Sequence, residues 1–190
     1  MKIDRVKNPL TETDPSREEL EKALNFAEAV ADEGRQQVFT LRSQEAFGGD
    51  VYVAVQSHTR ELAEQYGMSF KVCAEGRQRL LKPEIAEQVC AIIREALNNA
   101  CRHSGSDVVL VELCYGRASF VARIVDRGCG IAPEILAAGG KRGHWGMAGM
   151  RERAQQIGGT LSVSACKSGG TEVCLNTPAS VAYPLLLRAA

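Results

Sequence analysis

The sequence contains no apolar run approaching the roughly 20 residues that a membrane-spanning helix requires. Its N-terminus also lacks the basic-then-apolar order of a secretory signal, so a cytoplasmic chain is the expectation. Net charge is missing as well: 23 basic and 23 acidic side chains cancel, which removes the electrostatic footprint of a nucleic-acid-binding protein. The seven cysteines, Cys73, Cys90, Cys101, Cys114, Cys129, Cys166 and Cys174, include no Cys-x-x-Cys pair. An odd, scattered set inside mostly apolar stretches reads as reduced, buried thiols, not as a disulfide framework or metal ligands. Cys129 is the exception, placed in a glycine turn where it is accessible. No Gly-Lys-Ser/Thr follows any glycine cluster, which excludes a P-loop, and the glycines after residue 138 are not preceded by a strand, which excludes a dinucleotide fingerprint. Histidine is scarce too, with only His58, His103 and His144.

What remains is ordinary globular composition, 45% hydrophobic and 24% charged. A chain of 190 residues has room for one core plus an appendage, with about 70% of the unfolded surface buried at this size. Residues 1–13 read as a lead-in. Asp14-Pro15-Ser16 followed by Glu18 and Glu19 is a helix start with an acidic first turn. The helix runs to about Ser43, with Leu20, Leu24, Ala27, Ala31, Gly34, Val38 and Leu41 in alternating four- and three-residue steps. That spacing suits a bundle or coiled-coil seam, the alternative being an amphipathic helix packed on its own domain.

Asp50 caps a helix from Val51 to about Tyr66, which Gly67 ends. A strand is expected from Met68 to Ala74, a helix from Pro83 to about His103, and a hairpin of Val108–Tyr115 and Ser119–Val125 about Gly116-Arg117-Ala118. After a glycine-rich stretch come a helix from about Met147 to Ile157 and strands near Leu161–Ala165 and Glu172–Leu175. Helices mixed with hairpin-linked strands predict a two-layer α/β sandwich of the α+β kind, with helices on one face of a mixed sheet. That domain covers residues 50–178, the bundle helix 14–45, and a mildly apolar tail 179–190.

Three elements carry chemistry. On the helix from Pro83, the residues Ile85, Val89, Ile92, Ile93, Ala96, Leu97 and Ala100 form one apolar stripe. Glu95, Asn99 and His103, spaced by four, line up beside it, each step drifting about 40°. Asn99 and His103 fall at its border, where a half-buried polar group must find a partner. Mg²⁺ with phosphate oxygens is one such partner; a neighbouring backbone group for Asn99 and solvent for Glu95 is the other reading.

Asp126 closes an alternating strand directly before Gly128 and Gly130. A carboxylate there can accept hydrogen bonds from the exocyclic amine of adenine, and the glycines let the backbone turn and approach a flat ring. By itself, an acidic glycine turn is often only a turn. The third element is Gly139-Gly140-Lys141-Arg142-Gly143-His144-Trp145-Gly146, continuing to Gly149, a cationic segment entering a helix whose N-terminal amides favour anions. Trp145 either packs this segment or stacks near the ligand.

Arg-Glu-Ala-Leu-Asn-Asn-Ala-Cys-Arg-His (94–103) closely resembles the N box of sensor histidine kinases of the nitrate and nitrite sensor class, within the GHKL ATPase superfamily. His-Trp-Gly-Met-Ala-Gly-Met-Arg-Glu-Arg-Ala (144–154) resembles that class's second glycine box, and Gly169-Gly170-Thr171 completes the order over residues 83–177. The resemblance implies a GHKL fold and an ATP site: Asn99 holding Mg²⁺, Arg102 and His103 meeting phosphates, and Asp126 with Thr171 on adenine. Gly128, Gly130, Lys141, Arg142, Gly146 and Gly149 complete the nucleotide site. Glu95 occupies the place of the water-activating base in gyrase-like relatives.

The class phosphorylates a histidine with an acidic neighbour, and no histidine of this sequence has that setting. The Leu20–Leu41 seam resembles the second helix of the dimerisation bundle, so the expectation is a piece of a larger receptor that begins after the acceptor helix and dimerises when intact. The implied partners are ATP and a response regulator. Two alternatives stand beside this: a GHKL ATPase that hydrolyses ATP for conformational change, with Glu95 as base, and a non-enzymatic interaction module.

Overall fold

A computed structural model describes residues 50–132, 146–167 and 169–184. The expected seam from Leu20 to Leu41, together with Lys141, Arg142, His144 and Trp145, lies outside the described residues.

Helix α1 (Val51–Tyr66) begins where the Asp50 side chain accepts the N–H groups of Tyr52 and Val53, at 3.0 and 3.3 Å. Gly67, at φ 68°, ends it and donates its N–H to Ala63 O. Strand β1 (Ser69–Gly76) leads to helix α2 (Pro83–Asn99), which opens on proline, where the missing N–H has no intrahelical partner to lose. The predicted stripe is buried: Val89, Ile92 and Leu97 are 0% exposed and Ile93 is 1% exposed. Truncating Ile92, Ile93 or Leu97 to Ala costs about 2–5 kcal/mol.

The sequence predicts one helix to about His103. Instead α2 passes into a π-helical turn, Ala100–Ser104, closed by Gly105 at φ 64°. Such wider i→i+5 turns occur frequently at functional sites.

Strands β2 (Val108–Tyr115) and β3 (Ser119–Asp126) form the expected hairpin. Helix α3 (Gly146–Gln156), strands β4 (Thr160–Ala165) and β5 (Thr171–Pro178), and a short α4 (Ala179–Ala182) follow. The sheet order is β1-β2-β3-β5-β4, with β1 parallel to β2 and the other neighbours antiparallel. Strand β5 runs beyond the predicted Leu175 because Asn176, Thr177 and Pro178 keep their register with Val121, Phe120 and Ser119.

Alternation sorts the two sheet faces. Val109, Val111 and Leu113 of β2 and Phe120, Ala122 and Ile124 of β3 are buried in one cluster with the helix residues. The opposite set carries Glu112, Arg123 and Glu172, with Arg123 paired to both glutamates at 2.6 Å. Helices therefore cover one face, as predicted. Cys114 and Cys174 alternate onto the outward set and are only half-buried, as are Cys73, Cys90, Cys101 and Cys166. The expectation of buried thiols is corrected to that extent; Cys129 is exposed. Ala182 and Tyr183 belong to the core cluster, so the core reaches past Pro178. No described helix is long and apolar enough to cross a membrane.

Candidate functional site

The inward alternation of β3 delivers Asp126 as the last residue of the strand, 6% exposed. A carboxylate this buried requires hydrogen-bond donors. Its Oδ1 accepts the N–H of Gly128 at 2.9 Å and that of Thr171 at 3.2 Å. No hydrogen bond among the described residues reaches Oδ2. One oxygen is thus locked by the backbone and the other is left to accept from a ligand donor such as an exocyclic amine.

The glycines around Asp126 permit chain to lie on chain. Gly170, at φ 92°, closes the β4–β5 turn over Asp126, and a Cβ there would overlap the Asp126 carbonyl oxygen. Gly130, at φ 74°, faces Gly170 O, with a Cβ position 3.2 Å away. Gly128 lies against the end of the preceding helix, where a Cβ would overlap Ser104 O. The sequence reading assigned Gly128 to ring approach; its immediate neighbour in the fold is the π-helical turn.

A second group forms on α2. Asn99 Nδ2 donates to Glu95 Oε1 at 3.2 Å, and both residues are half-buried. The bond turns the Asn99 amide so that Oδ1 points elsewhere. Gly146, the first residue of α3, rests on this pair: a Cβ there would overlap Glu95 Oε1 and lie 3.5 Å from Asn99 Nδ2. The N-terminal end of α3, whose first N–H groups have no intrahelical partner and carry partial positive charge, therefore abuts an amide and a carboxylate. Gly149, one turn on, has open space where a Cβ would stand. Arg153 of α3 donates to Gln88 of α2 at 3.1 Å and holds the two helices together.

Arg102 and His103 lie on the π-helical turn and are exposed. Asn99 is half-buried as expected, but the half-buried place expected for His103 is corrected here: the wider turn takes it off the line of Glu95 and Asn99, and it is exposed. The turn still reaches the Asp126 corner: Cys129 Sγ donates to His103 O at 3.3 Å, and Cys129 N–H to Ser104 O at 2.8 Å.

The structure thus joins Asp126, Gly128, Gly130 and Thr171 in one corner and Glu95, Asn99 and Gly146 in another, bridged by the turn carrying Arg102 and His103. Sequence reasoning missed Ser104 and Ser106, which lie between the two corners and are 6% and 8% exposed. Ser-Gly-Ser directly after a helix, residues whose hydroxyls bond local backbone, was the available signal. A separate cavity of about 870 Å³ among Arg77, Arg79, Tyr115, Arg117 and Tyr183 lies at the other end of β2, away from Asp126, which pairs with Val109.

The donor set suits a magnesium nucleotide. An oriented amide oxygen is a neutral hard ligand, a helix N-terminus favours phosphate, and a half-locked buried carboxylate suits an amine. A mixed sheet backed by helices, with an aspartate corner joined through one turn to an asparagine helix, is the arrangement that a histidine kinase-type ATP-binding domain requires, and the family match assigns the chain to that class.

The family described as histidine kinase-, DNA gyrase B- and HSP90-like ATPase matches residues 84–181, and the chain belongs to it. The nitrate/nitrite sensor protein NarX of Escherichia coli (strain K12) is 31% identical over 158 residues, 83% of this chain and 26% of NarX. The oxygen sensor histidine kinase NreB of Staphylococcus carnosus is 28% identical over 66% of this chain and 35% of NreB. The chain therefore spans about a quarter to a third of these relatives. Among solved structures, the histidine kinase domain of a blue-light activated kinase from Erythrobacter litoralis aligns with TM-score 0.63 at 18% identity, covering 94% of this chain and 93% of that one. At that identity it speaks for the fold alone.

Proposed function

We propose that this ATP-binding domain is the catalytic part of a two-component sensor histidine kinase, transferring the ATP γ-phosphate to a histidine and thence to a response regulator. The observation that carries the reading is the pair of corners bridged by the π-helical turn: Asp126 locked by Gly128 and Thr171, and Glu95–Asn99 under the first residue of α3.

In this reading Asp126 Oδ2 and Thr171 hold the adenine amine, and Gly128 and Gly130 shape the corner. Asn99 Oδ1 holds Mg²⁺, which when bound offsets charge on the phosphate oxygens. Arg102 and His103 meet phosphate from the π-helical turn, and Lys141, Arg142, Gly146 and Gly149 complete the nucleotide site. The bond from the γ-phosphorus to the bridging oxygen breaks, ADP leaves with the electron pair, and a phosphorus–nitrogen bond forms on the acceptor imidazole. Glu95 polarises that imidazole and takes its proton.

The acceptor is a histidine other than those of this chain. His58 is packed in the α1–α2 contact, its side chain 13% exposed, and His103 belongs to the site. The bundle helix of residues 14–45, between a lead-in of 1–13 and a catalytic domain of 50–178 with its 179–190 tail, serves dimerisation in the intact protein, on the cytoplasmic side.

The test is incubation with Mg²⁺ and γ-labelled ATP plus an added acceptor bundle of this sensor class. Acid-labile label on the acceptor, lost in Asn99→Ala and much reduced in Glu95→Gln, is the expected result. Sustained phosphate release that vanishes in Glu95→Gln, with no label on the acceptor, would establish the hydrolytic ATPase instead.

A further inference from the structure

The two corners of the site sit on different elements, and a nucleotide that bridges them requires a fixed separation. Adenine recognition depends on the end of β3, and metal and phosphate recognition on the end of α2. The short connection between α2 and β2, residues 104–107, is where that separation is set.

Two buried serines occupy it. Ser104 Oγ donates to Ala100 O at 2.6 Å and accepts the Ser106 N–H at 3.0 Å, which ties the π-helical turn to the connection. Ser106 Oγ donates to Val108 O at 2.7 Å and accepts two N–H groups, from Val108 and from Arg127, both at 3.2 Å. Arg127 directly follows Asp126. One hydroxyl just past the π-helical turn therefore binds the start of β2 and the backbone beside the adenine aspartate. Cys129 N–H on Ser104 O, at 2.8 Å, adds a second tie in the same direction, and the absent side chain at Gly128 lets the two segments meet.

We infer that Ser106 is a positioning residue that fixes the phosphate-binding turn of α2 at a set distance from the adenine-binding end of β3. It acts through Arg127 and Val108 and touches no nucleotide. Each corner keeps its own bonds without it: Asp126 retains Gly128 and Thr171, and Asn99 retains Glu95. Loss of the Ser106 hydroxyl should therefore spare recognition of either half of the ligand and weaken recognition of the whole. The inference rests on the nucleotide reading of the site, and its test separates the two.

The full chain is compared as wild type, Ser106→Ala and Ser106→Thr. In nucleotide-free protein, amide hydrogen exchange at Arg127 and Val108 should rise at least tenfold in Ser106→Ala and return to within threefold of wild type in Ser106→Thr. In titrations, Mg·ADP should bind Ser106→Ala about tenfold more weakly, with adenosine affinity changed less than twofold and Ser106→Thr restoring Mg·ADP binding. An equal loss for adenosine and Mg·ADP, or unchanged exchange at Arg127, overturns the positioning role. Raised exchange in Ser106→Ala together with a wild type that itself binds no Mg·ADP overturns the nucleotide reading and leaves a purely architectural tie.

Discussion

Gly169 and Gly170 provide a controlled pair for separating backbone conformation from chain contact. Both have positive φ, 90° and 92°, so alanine at either position bears a left-handed conformational penalty of about 1–2 kcal/mol. Their surroundings differ. A Cβ at Gly169 finds its nearest neighbour, Gly128 O, at 3.7 Å, whereas one at Gly170 overlaps the Asp126 carbonyl oxygen and lies 2.9 Å from Arg127 Cα. These are backbone atoms and cannot swing aside, so Gly170→Ala adds overpacking of about 1–3 kcal/mol. The totals are about 1–2 kcal/mol for Gly169→Ala and about 2–5 kcal/mol for Gly170→Ala, the conformational and packing terms together. Relief of the overlap also draws Thr171 N–H away from Asp126 Oδ1, a bond to a charged acceptor worth about 1.5–3 kcal/mol. Urea unfolding of the two variants measures the first effect, and Mg·ADP titration of the folded proteins the second. Equal stability of the two variants, or Mg·ADP affinity in Gly170→Ala matching Gly169→Ala, would refute the close approach of the β4–β5 turn to Asp126.

Two further outcomes follow from the core. Thr177 is 0% exposed, and its hydroxyl has no hydrogen-bond partner among the described residues; Thr177→Val should therefore raise the urea midpoint, with a gain of about 1 kcal/mol from removing an unsatisfied group, and a lower midpoint would show that the hydroxyl is satisfied. Burial lowers the His58 pKa from 6.5 to about 4, with the Arg94 guanidinium adding to the effect and Glu61 3.8 Å from Nδ1. The unfolded chain then binds the proton more readily, so this contribution is complete above about pH 6.5 and is lost as pH falls toward 4, about 3 kcal/mol in all. Between pH 7 and 5, wild type should lose about 2 kcal/mol more than His58→Leu in urea unfolding, and parallel losses would contradict the shift.

Much of this architecture was legible in the residues because single positions decide it. Asp50, Gly67 and Pro83 punctuate the helices by capping, left-handed φ and a missing N–H, and those effects are local. Strand alternation in 108–126 likewise fixed the hairpin and the inward face, and it delivered Asp126 to the end of β3. The π-helical turn was not legible. Nothing in Ala100-Cys101-Arg102-His103-Ser104 dictates a wider turn; it is accompanied by a local bond from the Ser104 hydroxyl to Ala100 O and by tertiary ties from Cys129 to Ser104 O and His103 O. The glycine roles were only half legible for a related reason. A sequence shows that a side chain is absent at Gly128, Gly146 and Gly170, but the atoms that fill the space, from Ser104, Glu95 and Asp126, come from other elements. Family resemblance supplied the pairing of corners that periodicity alone left open, and the match over residues 84–181 bears out the family itself.

The most direct measurement is calorimetric titration of the wild-type chain and Asp126→Asn with Mg·ADP, with both confirmed folded. Asparagine keeps an oxygen for the Gly128 and Thr171 N–H groups but presents an NH₂ where the adenine amine requires an acceptor. Wild type should bind and Asp126→Asn should bind about tenfold or more weakly, the loss of one charge-assisted hydrogen bond. Equal affinity in the two proteins, or no binding by wild type, would contradict the assignment of Asp126 as the adenine-reading residue of an ATP site.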